Sequence, residues 1–143
     1  MGIPGHVVTS AAAFAATFAV TSSISFALGT AGASLLLDVD HLWDYWFIDR
    51  QYNLNPSRFF KYYRRRLPPR RILLLHSYEL LALLLVFALL TGANAVGGFV
   101  LGALIHLGAD ILPRKSSGVW QVTKRYSLIY RWRRGFDSKR LYH

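Results

Sequence analysis

The sequence predicts an all-α, polytopic membrane helical bundle: about four transmembrane helices, a short interfacial helix and a basic, aromatic C-terminal segment. Three observations predict it. Apolar residues make up 53% of the 143-residue chain. They gather in uncharged runs at Val7–Leu37, at Ile72–Ser77 continuing as Leu80–Leu90, and at Ala93–Leu107; a span needs about 20 mostly apolar residues. Every lysine and arginine lies in one of two blocks, Arg50–Arg71 and Arg114–Arg140.

The elements follow in order. Val7–Leu37 is long for one span and short for two. With its flanks, Ile3 to Ile48 fits two helices joined by a small-residue turn, at Thr21-Ser22-Ser23 in preference to Gly29–Gly32. Helix one then covers Gly5–Val20 and helix two Ile24–Phe47; a single long helix is the alternative. Trp43, Tyr45, Trp46 and Phe47 read as an interfacial aromatic belt. Asn55-Pro56 starts a short helix, since Asn caps and Pro suits the first helical position. Ser57–Arg66 mixes aromatic and basic residues and suits the headgroup layer. Helix three is expected over Arg70–Leu90. Thr91-Gly92-Ala93-Asn94 is a turn, and helix four runs from Ala95 to Leu112, before Pro113. In helix four, Gly98 and Gly102 form a small-xxx-small pair that favours close helix packing. Val119–Tyr142 carries apolar residues at both helical and alternating spacing, and helix is preferred. The chain is thus one domain: a hairpin over 1–48, a basic interfacial segment over 49–69, a second hairpin over 70–112 and a basic tail over 113–143.

Composition excludes several classes. With no cysteine there is no disulfide framework and no thiolate metal site, so any metal must use histidine, carboxylate and water. The net charge of +10 fits the positive-inside rule and attraction to anionic headgroups better than nucleic-acid binding. Membrane lipids are therefore the expected partners, with a protein partner or a second copy of the chain as further ones. The N-terminus lacks the basic region of a signal peptide.

The polar chemistry inside the apolar stretches is acid and imidazole: His6, Asp38, Asp40, His41, Asp44, His76, Glu79, His106 and Asp110. Buried ionisable groups are costly in a bilayer, and these lack lysine or arginine in the same segments. With both basic blocks on the cytoplasmic side, helices three and four form a hairpin that dips away and returns. His6 falls at the start of helix one, and Asp38, Asp40 and His41 towards the end of helix two. His76 lies about 7.5 Å into helix three, and His106 about 10 Å from the end of helix four. All four groups come to the cytoplasmic end of the bundle. The spacings agree, with His106/Asp110 at i,i+4 and His76/Glu79 and Asp38/His41 at i,i+3. Each pair alone has a plain structural reading, as a hydrogen-bonded packing pair or a solvated helix end. Together they point to a shared metal, since otherwise several acids stay uncompensated.

Early Gly5-His6, then Leu37-Asp38-Val39-Asp40-His41, His76-Ser77 and Gly102-xxx-His106-xxx-Asp110 together resemble the membrane-bound, metal-dependent hydrolases related to the LexA-binding inner-membrane-associated hydrolase. The likeness covers residues 5–112 in order. That family is distantly similar to zinc-dependent phospholipases C and single-strand nucleases. The resemblance implies metal-ligand roles for Asp38, Asp40, His41, His76, His106 and Asp110, with His6 a further candidate, and a bacterial or archaeal plasma membrane as the location. Family members carry a second histidine about five residues before the His-Ser; here that place holds Arg71, and Glu79 is the candidate replacement.

The expected function is hydrolysis of a phosphoester at the cytoplasmic membrane face. One or two divalent ions, zinc favoured over manganese or iron, would activate water and polarise the phosphoryl oxygen. Arg64, Arg65, Arg66, Arg70 and Arg71 would hold the anionic substrate. The alternative is a non-catalytic membrane subunit or scaffold with a structural metal or polar cluster, docking a partner through its basic aromatic tail.

Overall fold

The computed structural model describes residues 3–53, 55–65, 69–111 and 123–142. Among them the fold is all-α. Its helices are α1 (Ile3–Thr21), α2 (Ile24–Leu36), α3 (Val39–Trp43), α4 (Pro56–Arg65), α5 (Tyr78–Thr91), α6 (Asn94–Ile111), α7 (Leu128–Arg133) and α8 (Ser138–Tyr142). A single π-helical turn, Asp44–Ile48, follows α3.

The predicted turns form. Ser22 takes a left-handed φ of 52°, and the Ser23 hydroxyl caps α2 by accepting from the Phe26 amide at 3.3 Å. Gly92, at φ 69°, ends α5 in the left-handed conformation that glycine tolerates best. The Asn55 side chain accepts from the Ser57 amide at 2.9 Å and starts α4 at Pro56.

The main packing is α2 against α6, with α1 on α2 and α5 on α6. Small residues allow it. A Cβ added at Gly98 would collide with the Phe26 carbonyl, one at Gly102 with the Thr30 carbonyl, and one at Gly29 with the backbone of Ala95 and Phe99. The backbones therefore meet at van der Waals distance, as the Gly98/Gly102 pair leads one to expect. Ala33, Leu37, Leu81, Ala103, Leu107 and Tyr126 form the core just below the polar residues.

Two expected helices are shorter than predicted. Helix two does not continue to Phe47. It stops at Leu36, turns through Leu37 and Asp38, and restarts as α3. Helix three begins at Tyr78 rather than Arg70. The preceding segment is non-helical, with Leu73 at φ 46°. Its amides are claimed by carboxylates instead of helix carbonyls: Ile72 donates to Asp44 Oδ2 at 2.9 Å, while Leu75 and His76 donate to Asp40 Oδ2. Buried backbone donors need partners, and these two aspartates supply them from another element.

The described part of the C-terminal segment is helical, in two short pieces joined by a turn at Gly135 (φ 64°) and Phe136 (φ 57°). It is tied back to residues 69–71. The Arg71 amide donates to the Phe136 carbonyl at 2.9 Å, and the Ser138 amide donates to Pro69 at 3.1 Å. Among the described residues one helix, Asn94–Ile111, is long and apolar enough to cross a membrane. Val7–Thr21, Ile24–Ser34 and Tyr78–Thr91 are shorter apolar helices.

Candidate metal centre

Three unconnected stretches of chain meet at Asp38. The break after α2 swings its carboxylate inward, and Oδ1 lies 3.9 Å from His41 Nε2, 4.0 Å from His76 Nε2 and 3.5 Å from His106 Nε2. His106 Nε2 lies 3.9 Å from Asp110 Oδ2, one helical turn on. Asp38, His41 and His76 form one group able to hold a metal ion, and His76, His106 and Asp110 another. They share His76, and His106 Nε2 also lies close to Asp38, so the two groups adjoin. Ligand atoms about 2.0–2.2 Å from a common tetrahedral cation stand about 3.3–3.6 Å apart. The separations from Asp38 Oδ1 are at or slightly above that range, and the candidate ligand atoms within each group lie within 4.8 Å of one another.

Several of these candidate ligands are oriented by partners outside the group. His76 is almost fully buried, and its Nδ1 stands 3.4 Å from Asp40 Oδ2. A proton on Nδ1 facing that carboxylate leaves the lone pair of Nε2 pointing at the centre. His76 Nε2 is buried and has no hydrogen-bond partner among the described residues. A buried acceptor with no donor is what a cation ligand looks like before the cation is counted. On α6, His106 Nδ1 faces the Ser34 carbonyl of α2 at 3.3 Å, an orientation that depends on the close α2–α6 approach. His41 packs edge-on against Tyr63, whose hydroxyl donates to the His41 carbonyl at 2.8 Å. Burial lowers the His41 pKa to about 3, with the His76 imidazole adding to the effect and Asp38 opposing it. His41 is therefore neutral, the form that ligates metal.

The sequence-derived residues divide. Asp38, His41, His76, His106 and Asp110 come together. Asp40 is drawn to the outer side, where its Oδ2 fastens the 75–76 backbone and His76. Through Oδ2 it positions the 75–76 backbone and the His76 ring, a task beside the ligand role expected of it. Glu79 is also reassigned. Its oxygens accept from the Ser127 hydroxyl at 2.5 Å, the Leu128 amide at 2.7 Å and the Ile129 amide at 3.2 Å. It caps the start of α7, and because His76 precedes α5 the two share no helix face. Asp44 is buried in the π-helical turn; burial raises its pKa to about 6 against the pull of the Ile72 amide. Arg71 lies beside the centre, over the Tyr63 ring at 5.8 Å and near enough to His41 to affect its titration. Arg70 lies apart, lining a separate cavity with residues of the C-terminal turn. The side chains of His6, Arg64 and Arg65, and the whole of Arg66, lie outside the described residues.

Two residues of the C-terminal segment complete the surroundings, and sequence reasoning did not find them. Tyr126 stacks on the His76 ring at 6.4 Å between centroids, and its hydroxyl donates to Asp110 Oδ2 at 3.4 Å. Arg131 is buried and donates to the His76 carbonyl at 3.4 Å. Burial lowers its pKa, opposed by the carboxylates of Asp40, Glu79 and Asp44. Both residues sit among many similar aromatic and basic neighbours, so no local pattern marks them. Compared with protein-family models, with curated proteins and with solved structures, the chain matches none. The family resemblance therefore rests on the motifs themselves.

Proposed function

We propose that the chain is a membrane-embedded, metal-dependent phosphoester hydrolase, with its site at the cytoplasmic end of a polytopic helical bundle. The observation that carries the reading is the convergence of three histidine Nε2 atoms on Asp38 Oδ1, at 3.5–4.0 Å, from three separate segments. Asp38, His41, His76 and His106 would hold a divalent cation, with Asp110 beside them. Mixed imidazole and carboxylate ligation suits zinc, with manganese or iron as the other choices. When bound, such an ion supplies Lewis acidity and a more acidic water at neutral pH.

The chain's own residues do the rest. Asp40 and the Ser34 carbonyl fix the orientation of His76 and His106. Tyr126 holds Asp110 in place. Arg71, beside His41, is placed to meet an anionic phosphoryl group. Asp38 is the most open of the cage residues, its side chain 45% exposed, so solvent and substrate reach the centre from that side. The membrane reading is supported by α6 and by the outward faces of the other apolar helices, where Val20, Ile24, Leu83, Leu89 and Leu90 are all more than half exposed. Contiguous apolar surface of this kind calls for a covering phase.

Metal analysis of the purified protein, paired with a phosphatase screen on lipid and isoprenoid phosphates, tests the reading. Near-stoichiometric divalent metal and metal-dependent phosphate release are expected. A folded protein that takes up no divalent metal would overturn it.

A further inference from the structure

A second polar site lies outside the metal centre. Where the C-terminal turn is tied to residues 69–71, Arg70, Arg134, Asp137, Ser138, Lys139 and Arg140 help enclose a cavity of about 580 Å³. That is within the about 300–1,000 Å³ of small-molecule pockets. Four cationic side chains face it against one carboxylate. Asp137 is largely engaged already: its Oδ1 accepts from the Lys139 amide at 2.8 Å, and Oδ2 lies 3.8 Å from Arg140 Nε. The backbone frame is also engaged, through the Arg70–Asp137 bridge and the Ser138 amide on Pro69. The donors left to face a ligand are therefore side chains. Arg134 lies over the Tyr130 ring at 5.4 Å, which orients its guanidinium. Ser138 is 1% exposed, and its hydroxyl has no hydrogen-bond partner among the described residues. That hydroxyl is closed off from solvent, so the groups offered to a ligand are the charged ends of Arg70, Arg134 and Lys139.

We infer that this cavity binds a phosphomonoester dianion through Arg70, Arg134 and Lys139, as a site separate from the metal centre. Two guanidinium forks and an ammonium exceed what a monocarboxylate can satisfy. A doubly charged tetrahedral oxyanion engages several forks at once. The same chemistry is presented by inorganic phosphate and by the headgroup of phosphatidic acid, and the two sources are separable by experiment. The inference does not depend on the metal or on the hydrolase reading.

The test is calorimetric titration of the purified full chain in detergent, once with inorganic phosphate and once with dihexanoyl phosphatidic acid. Saturable binding of at least one probe is expected. Arg134→Gln and Lys139→Gln should each weaken it about tenfold, the loss of one charge-assisted contact. Both side chains are exposed, so neither change threatens the fold. His106→Ala, which removes a metal-centre residue, should leave unchanged the saturable component that those two variants weaken, whatever it does to phosphate bound at the metal centre. Equal affinity for the two probes identifies a soluble phosphate site, and tighter phosphatidic acid binding identifies a headgroup site. Two results would overturn the inference: absence of saturable binding of either probe, or binding lost in His106→Ala yet kept within about twofold in the Arg134→Gln/Lys139→Gln double variant.

Discussion

Asp38 and Asp40 are two residues apart and do different work. Asp38 Oδ1 faces three imidazoles, whereas Asp40 Oδ2 faces the amides of Leu75 and His76 and the outer nitrogen of His76. Asp38→Ala should therefore lower metal affinity by more than about 100-fold. Asp40→Asn, which keeps an acceptor for the amides but changes the partner of His76, should lower it by about 10–100-fold. Chelator competition measures both, and an equal loss in the two would place Asp40 in the cage. Asp44 carries a different prediction. Its pKa is about 6 in the fold against an ordinary 3.8. Between those values the folded state binds more proton than the unfolded chain. The contribution of Asp44 to stability therefore falls as pH rises through that window and levels off above it, while that of His41 runs in the opposite sense. Asp44→Asn keeps an acceptor for the Ile72 amide and removes the charge. Its stability relative to the parent should grow as pH rises through that window, to an advantage on the order of 2–3 kcal/mol at neutral pH. Thermal melts of the parent and the variant across the window decide it, and a stability difference between the two that does not change with pH would contradict the assignment.

Helices are legible in this chain where local chemistry ends them. Thr21–Ser23, Asn55-Pro56 and Gly92 each mark a boundary by capping or by a left-handed backbone, and each boundary stands where the sequence puts it. The break after Leu36 and the unwound segment before Tyr78 carry no such mark. Half of residues 72–77 are leucine, and what unwinds them is the pull of Asp40 and Asp44 from another element. The same limit hid the task of Glu79, whose partners lie on α7, 48–50 residues away. Glu79→Gln should loosen the C-terminal segment, at a cost of about 1–3 kcal/mol, and leave metal content unchanged; loss of metal would return Glu79 to the ligand set. Close helix approach was legible, and it is testable at two glycines of α6. Gly102→Ala sets a methyl group against the Thr30 carbonyl, while Gly108→Ala meets nothing within 4 Å. The first should destabilise by about 1–3 kcal/mol and disturb the His106–Ser34 alignment, lowering metal affinity. The second should do neither. Equal melting temperatures and metal contents for the two variants would show that α2 and α6 do not meet at Gly102.

On the scale of the chain, the separation of charge into two blocks and the convergence of acids and imidazoles express one arrangement. The described polar ligands come from the break after α2, the loop before α5 and the last turns of α6. The turns at Ser22 and Gly92 lie at the other ends of those helices. If α1/α2 and α5/α6 are membrane hairpins, Ser22 and Thr91 must share one side of the bilayer, and the basic segments the other. The absence of cysteine makes this directly measurable, because each introduced thiol is the sole one in the chain. Ser22→Cys, Thr91→Cys, Lys61→Cys and Lys139→Cys leave the metal ligands untouched, and Thr91 and Lys61 are exposed. A membrane-impermeant maleimide applied to intact cells should label the Ser22→Cys and Thr91→Cys variants. It should reach the Lys61→Cys and Lys139→Cys variants only after the membrane is opened. Labelling of all four from one side would mean that the apolar helices pack without crossing. The metal centre would then belong to a membrane-associated or oligomeric fold, because the positive-inside argument that placed its ligands at one depth would no longer apply.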